Sequence, residues 1–178
     1  IYGCLVGSEM CIRDSYWGWV IHMGKAGFGS KIKKNVFIAM QIKLTHKKEF
    51  HSSISNGRGH NISVDNNTDV NPKGPSPMEL LLMGVAGCSS IGIVRILKQQ
   101  KIYFNNLEII VDGKIKNSHP KVFTEIHAKV YVYGDVDSKK IYRAVDLTFK
   151  KYCSVSLTFS RSVKMFYYVF VNNKQIFN

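Results

Sequence analysis

The residues of this 178-residue chain that could carry redox chemistry are two of its four cysteines, Cys88 and Cys153. Cys88 stands in the segment GCSS, and Cys153 follows Tyr152 in the segment KYCS. A thiol attacks other molecules only as the thiolate, so a reactive pair needs a nearby cation and must come within bonding distance. Two unreactive cysteines would simply fill space in a core. Their separation of 65 residues decides nothing, and the available cations are Arg58, Arg95, Arg143 and Arg161.

Two further cysteines, Cys4 and Cys11, fall in an N-terminal segment that differs from the rest. Ile1–Ser15 lacks the basic start, apolar centre and cleavage site of a signal peptide. It resembles the translation of a sequencing adaptor, so we expect neither cysteine to carry chemistry. Met40 is then the expected native start. We predict that residues 1–39 are a non-native or disordered extension and that residues 40–178 form one domain.

The charge balance is strongly basic, with 25 Lys and Arg against 12 Asp and Glu, a net charge of +13. This balance invites a nucleic-acid or membrane partner. The lysines are scattered, however, and no RNP-like, zinc-finger or helix-turn-helix signature is present, so we expect neither partner. The longest charge-free apolar segment, Leu80–Val94, is shorter than the ~20 residues that cross a bilayer. Two thiols without a signal peptide indicate the cytoplasm.

Histidines and glycines give no sign of a bound group. The six histidines have no metal-helix spacing, and no Cys-x-x-Cys or His-Glu-x-x-His motif is present. No glycine-rich loop follows a strand, so we expect no nucleotide. The predicted cofactor and metal content is therefore none.

The element that must position Cys88 is the clearest one in the chain. The segment SPME, with Ser76 as cap and Glu79 three residues later, is a capping box and predicts a helix to about Gln100. This helix is apolar nearly all round, which predicts burial on every face, in a core or in a dimer. Cys88 lies more than three turns past Ser76, where the field of the helix N-terminus has faded. Burial there would raise its pKa, so a reactive Cys88 needs a cation from elsewhere.

The other elements follow from shorter patterns. Alternating residues predict strands, and one more amphipathic segment predicts a helix with Ser138 as its cap. The strands are predicted at Gln41–Leu44, Asn61–Val64, Leu107–Lys116, Phe123–Tyr133 and Val163–Val171, and the helix at Ser138–Tyr152. Asn117–Lys121 would connect two of these strands as a hairpin. This order predicts an α+β fold with an antiparallel sheet and a long buried central helix.

Four segments together resemble one family. SPMELLLMGVAGCSS at 76–90 is similar to the central-helix motif of the OsmC/Ohr proteins, the osmotically inducible and organic-hydroperoxide-resistance proteins. RAVDL at 143–147 and KKYCSVS at 150–156 resemble the second-cysteine motif, and GHNISVD at 59–65 resembles the opening strand of the YhfA-like branch. The resemblance runs from Met40 to Val171. It implies an OsmC-like fold in an intertwined homodimer with the long helices at the interface.

The resemblance also implies a reaction. Cys88 would attack a peroxide and become a sulfenic acid, Cys153 would condense with it to a disulfide, and an external dithiol would reduce the pair. Arg58 stands where the family has the arginine that stabilises the thiolate. Hydroperoxide-resistance proteins carry a glutamate ten residues before the first cysteine, and Met78 occupies that position here. Glu79, one residue later, is the capping-box partner and the remaining candidate for that role.

Two functions remain open. The first is a thiol-dependent reductase of organic hydroperoxides in oxidative stress defence, because the apolar helix would favour a substrate with an apolar tail. The second is a non-catalytic or small-molecule-binding stress protein on the same fold, in which the cysteines only pack. Met78, at the position of the family's glutamate, argues against efficient peroxidase activity of the Ohr type.

Overall fold

The computed structural model of the protein describes residues 40–66, 68 and 70–176. The segment 1–39, with Cys4, Cys11 and the predictions made for it, lies outside the described residues. In chain order the described elements are β1 (Ile42–Lys48), β2 (His51–Asn56), β3 (Asn61–Val64), α1 (Pro77–Gln99), β4 (Asn106–Ile115), β5 (Phe123–Tyr133), α2 (Ser138–Leu147), a π-helical turn (Thr148–Tyr152), α3 (Ser154–Phe159), β6 (Lys164–Val171) and β7 (Lys174–Ile176).

The strands form two sheets, one of three strands and one of four. In the first sheet β1, β2 and β3 follow one another as antiparallel neighbours. In the second the order is β4-β5-β6-β7, and β4 and β5 form the predicted hairpin. Strands β5 and β6 are parallel, which the prediction of an antiparallel sheet did not include. The chain between them passes through the two helices and the π-helical turn, and such a crossover returns it in its original direction.

The core lies between the four-stranded sheet and the helices. Alternate residues of β5 point inward, and Ile126, Ala128, Val130 and Val132 are fully buried. Three elements cover this face: α1, α2 and the π-helical turn. They contribute Val85, Ile93, Ile96, Leu97, Ile141, Ala144, Val145 and Phe149. The α+β class and the central helix are therefore confirmed.

Helix α1 begins as predicted but is not buried on every face of one subunit. Ser76 caps it, and both hydrogen bonds of the capping box with Glu79 are present. By length and hydropathy this helix would be able to span a membrane, although its inner side packs into the core. On its outer side, Met83 is 53% exposed and Ile91 is 68% exposed. The reason is geometric, since the sheet and the other helices reach only one side of α1.

The second predicted helix is divided where the sequence showed one continuous stripe. Helix α2 ends at Leu147 and is capped by Asp137, one residue before the predicted Ser138. The backbone then widens into the π-helical turn and starts again as α3 after Cys153. Strands β2 and β7 and helix α3 were not predicted. All three are short, and short elements carry little periodicity.

We expect replacement of Glu79 by Gln to weaken the start of α1 in a pH-dependent way. Hydrogen bonds from the backbone and hydroxyl of Ser76 hold the pKa of Glu79 below its usual range. A lowered pKa stabilises the fold above the unfolded pKa of ~4.3 and ceases to do so as pH falls through the folded value. Urea unfolding at pH 7 should show Glu79→Gln less stable than the wild type, and the difference should vanish near pH 3.

The matched control is Glu108→Gln, the same change on the exposed surface of β4. It should leave the free energy of unfolding unchanged at both pH values. An equal loss in the two variants would mean that net charge, and not the capping box, causes the effect.

Candidate functional site

The fold brings the two described cysteines together. Cys88 lies half-buried in the middle of α1, and Cys153 lies fully buried between the π-helical turn and α3. Cys88 is close enough to Cys153 to raise the pKa of the Cys153 thiol. Both are free thiols. The packing of α1 against the segment before α3 therefore settles what their separation in sequence left open.

The π-helical turn sets the position of Cys153. The backbone N–H of Cys153 donates to the carbonyl of Thr148 at 2.7 Å, which closes the wide turn. Cys153 then acts as the N-cap of α3, with an extended backbone. Such widened turns inside helices often occur at functional sites because they redirect a side chain. Here the redirected side chain is the thiol that faces α1.

One glycine of α1, Gly92, allows this approach. A Cβ at Gly92, one turn after Cys88, would lie 2.8 Å from Cγ2 of Thr148, too close for any real Cβ. A Cβ at Gly84, one turn before Cys88, would meet Val155 at an ordinary 3.7 Å. Gly92 is therefore required at its position by the contact with the π-helical turn. Gly84 is not, although a mid-helix glycine costs about 1 kcal/mol relative to alanine.

The surroundings of Cys153 act on its pKa in two directions. Burial, the largest effect, raises the pKa of the Cys153 thiol, and the neighbouring Cys88 adds to the rise. Two hydrogen bonds from Ser156 lower it, from the hydroxyl at 3.0 Å and from the backbone N–H at 3.4 Å. Sequence reasoning missed Ser156. The available signal was that Ser156 stands three residues after Cys153, the spacing between a helix cap and the N–H that it accepts from. Helix α3 itself was not predicted, so this spacing was not recognised.

No contact between Arg58 and either thiol is seen among the described residues of the chain. Arg58 lies exposed in the β2–β3 turn, where its backbone N–H donates to the side chain of Asn56. A Cβ at either neighbouring glycine, Gly57 or Gly59, would meet nothing within 4 Å, so the turn projects into open space. Among the other candidate cations, Arg143 and Arg161 are exposed. Arg95 follows Cys88 by seven residues and lies on the same side of α1.

Glu79 lies on the opposite side of α1 from Cys88. Nine residues separate them, which corresponds to about 13 Å along the axis and half a turn around it. The Glu79 carboxylate is occupied by the capping box. It also lines a groove of about 790 Å³ with Leu82, Met83 and Val111, and neither described cysteine lines that groove. One subunit therefore does not bring Glu79 to the thiol pair.

The comparisons with known proteins agree with this architecture. The sequence profile of the family described as OsmC-like protein matches residues 70–166, which include both thiols. The chain belongs to this family of α+β proteins. Protein YhfA of Escherichia coli strain K12 is 37% identical over 108 residues, which cover 60% of this chain and 79% of that protein.

Solved structures show the same fold. A hypothetical protein from Aquifex aeolicus VF5 matches with a TM-score of 0.68 and 29% identity, over 75% of this chain and 96% of the other. The organic hydroperoxide resistance protein OhrB of Bacillus subtilis matches with a TM-score of 0.57 and 15% identity, over 75% of this chain and 98% of the other. At 15% identity the likeness concerns the fold alone.

We expect Gly92→Ala to separate the thiols. The added Cβ must displace Thr148 and with it the turn that carries Cys153, so disulfide formation should slow roughly tenfold or more. The measurement is the rate of Cys88–Cys153 disulfide formation after addition of diamide, followed by mass spectrometry in a Cys4→Ser, Cys11→Ser background.

The control is Gly84→Ala on the same helix. Its Cβ makes an ordinary contact, so the variant should form the disulfide at the wild-type rate and gain about 1 kcal/mol of stability. Equal disulfide rates in both alanine variants would show that the close approach at Gly92 does not position the thiols.

Proposed function

We propose that this protein is a thiol-dependent hydroperoxide reductase of the OsmC type that acts in oxidative stress defence. The observation that carries the proposal is the meeting of a half-buried Cys88 with a fully buried Cys153. A peroxidase of this kind needs one thiol that a substrate can reach and a second within disulfide range. The half-buried Cys88 and the neighbouring Cys153 support this assignment.

The reaction proceeds in two steps. The Cys88 thiolate attacks the distal oxygen of the hydroperoxide, the O–O bond breaks, and the leaving alkoxide takes up a proton to give the alcohol. Cys88 is now a sulfenic acid. The Cys153 thiolate then attacks the Cys88 sulfur, the S–O bond breaks, and the leaving hydroxide takes up a proton to give water. An external dithiol supplies the two electrons that reduce the resulting disulfide.

The exposed side of α1 supports a homodimer. Met83, Gly87 and Ile91 lie along one side of the helix and are exposed in the single subunit. A Cβ at Gly87 would meet nothing within 4 Å of its own chain, so nothing in one subunit explains the cost of a glycine there. A second α1 packed closely at this point would explain it and would bury the apolar side.

The same dimer would bring Arg58 to the thiols of the partner subunit. The three-stranded sheet also exposes Ile42, at 61%, and Leu44, at 59%. If these side chains were buried against a second subunit, the β2–β3 turn and its Arg58 would lie against that subunit and not against the core of their own chain. A guanidinium near Cys88 would then stabilise the thiolate, which the half-buried helix centre cannot do alone.

The substrate is an organic hydroperoxide. Leu81 and Ile91 lie on either side of Cys88 along α1 and are exposed. Apolar side chains beside the reacting thiol favour a hydroperoxide with an apolar tail over hydrogen peroxide. The protein works in the cytoplasm, where a dithiol can reduce it, and it binds no nucleic acid, because its lysines are scattered along the sequence.

A second candidate function is a binding protein without turnover. Met78 stands at the position of the family's glutamate, and the nearest carboxylate, Glu79, lies on the far side of α1. Without a carboxylate to orient Arg58, the thiolate would be less stabilised. The cysteines would then pack, and the dimer would bind a small apolar molecule.

Turnover of tert-butyl hydroperoxide with dithiothreitol separates the two functions. In the 178-residue chain with Cys4→Ser and Cys11→Ser, Cys88→Ser should lower turnover at least about a hundredfold, because the nucleophile is lost. Cys153→Ser should consume one equivalent of peroxide and then stop, with a sulfenic acid on Cys88 that dimedone traps. Wild-type turnover no faster than that of dithiothreitol alone would support the binding protein.

A complementation experiment tests the dimer and the role of Arg58 together. Arg58→Ala and Cys88→Ser should each be inactive as homodimers. Co-expressed in equal amounts, they should recover about a quarter of the wild-type turnover, because half of the dimers are mixed and each mixed dimer has one complete site.

The control for this experiment is Arg161→Ala, which removes another exposed arginine and should retain full activity. No recovery in the mixture would mean that Arg58 acts within its own subunit. Full activity of the Arg58→Ala protein would mean that another cation stabilises the Cys88 thiolate, and Arg95 would be the first residue to substitute.

A further inference from the structure

Ser156 is a buried hydroxyl whose hydrogen bond goes to a sulfur atom. It is only 2% exposed, and its Oγ donates to Sγ of Cys153 at 3.0 Å. A protonated thiol is a weak acceptor, whereas a thiolate accepts strongly. A serine that only filled space could instead donate to a carbonyl one turn back, as Thr158 does to Ser154. The placement of this hydroxyl therefore favours the charged form of Cys153.

The two sulfur atoms also differ in access. Cys153 is fully buried, whereas Cys88 is only half-buried. An external thiol can attack either sulfur of a disulfide, and access decides between them. Attack on Cys88 leaves the departing electron pair on Cys153, next to the Ser156 hydroxyl.

We infer that Ser156 directs the reduction of the disulfide, because it stabilises Cys153 as the leaving thiolate when an external dithiol attacks Cys88. The inference rests on the proposed function for the origin of the disulfide. The reductant thiolate forms a bond to Cys88 Sγ, the Cys88–Cys153 bond breaks, and Cys153 Sγ keeps the electron pair. The second thiol of the reductant then displaces Cys88, and the reductant leaves as a disulfide.

The chemistry of leaving groups sets the size of the effect. A thiol with a lower pKa leaves faster, and a hydrogen bond to a charged group is stronger than one to a neutral group. Among the described residues, the titratable group that bears on Cys153 is Cys88 of α1, which becomes part of the same disulfide. We therefore expect loss of the hydroxyl to slow reduction about threefold to tenfold.

The test measures reduction alone. The disulfide is made with diamide in the Cys4→Ser, Cys11→Ser chain, so its formation does not require peroxide turnover. Dithiothreitol reduction is then followed from pH 6 to 9 in single turnovers. Ser156→Ala should be slower, and the pH profile of its regenerated Cys153 thiol should move to higher pH. Ser156→Thr keeps the hydroxyl and should restore both. Ser154→Ala, an exposed neighbour, should match the wild type.

The sulfur that the external thiol attacks is determined in the protein that retains Ser156. The diamide-oxidised protein is treated with the single thiol 2-mercaptoethanol, quenched with acid and digested. We expect the mixed disulfide on Cys88. A mixed disulfide on Cys153, or reduction of Ser156→Ala with the wild-type rate and pH profile, would overturn the inference. A lower melting temperature of Ser156→Ala with unchanged reduction would likewise assign Ser156 a packing role only.

These outcomes are independent of the peroxidase proposal. A protein that does not turn over peroxide can still show the Ser156 effect on a diamide-made disulfide. Conversely, an active peroxidase whose mixed disulfide forms on Cys153 would keep its proposed function and lose this inference.

Discussion

The contact between α1 and the π-helical turn is the constraint on which the candidate site depends. At Gly92 the two elements approach so closely that a methyl group would not fit against Thr148. One turn away, the same approach brings Cys88 to Cys153. If the helix were held further out, the two thiols would no longer be neighbours, and each would be an isolated cysteine.

The environment of the two thiols is asymmetric, as the different roles in the proposed reaction require. Burial raises the pKa of Cys153, which favours its protonated form. The Ser156 hydroxyl opposes this effect at the same atom. Cys88 is half-buried and has the access that Cys153 lacks. In the proposed reaction, the Cys88 thiolate would need a cation brought by another element.

The exposed apolar surface of the single chain bears on this need for a cation near Cys88. Helix α1 has a buried side in the core and an exposed apolar side with Met83 and Ile91, and the three-stranded sheet exposes Ile42 and Leu44. A second subunit would cover these surfaces and could supply Arg58 at the same time. The association of subunits and the activation of the thiol would then be one event, which explains why the chain has so apolar a helix.

The sequence alone determined the elements with strong local signals. The capping box of Ser76 and Glu79 fixed the start of α1, and strict alternation fixed β5, because both signals come from neighbours along the chain. The family motifs around Cys88 and Cys153 predicted the α+β fold. Tertiary structure alone decided that these thiols meet, that Glu79 faces away from them, and that Ser156 bonds to Cys153. These facts depend on the packing of α1 against a π-helical turn, which no periodicity in the sequence encodes.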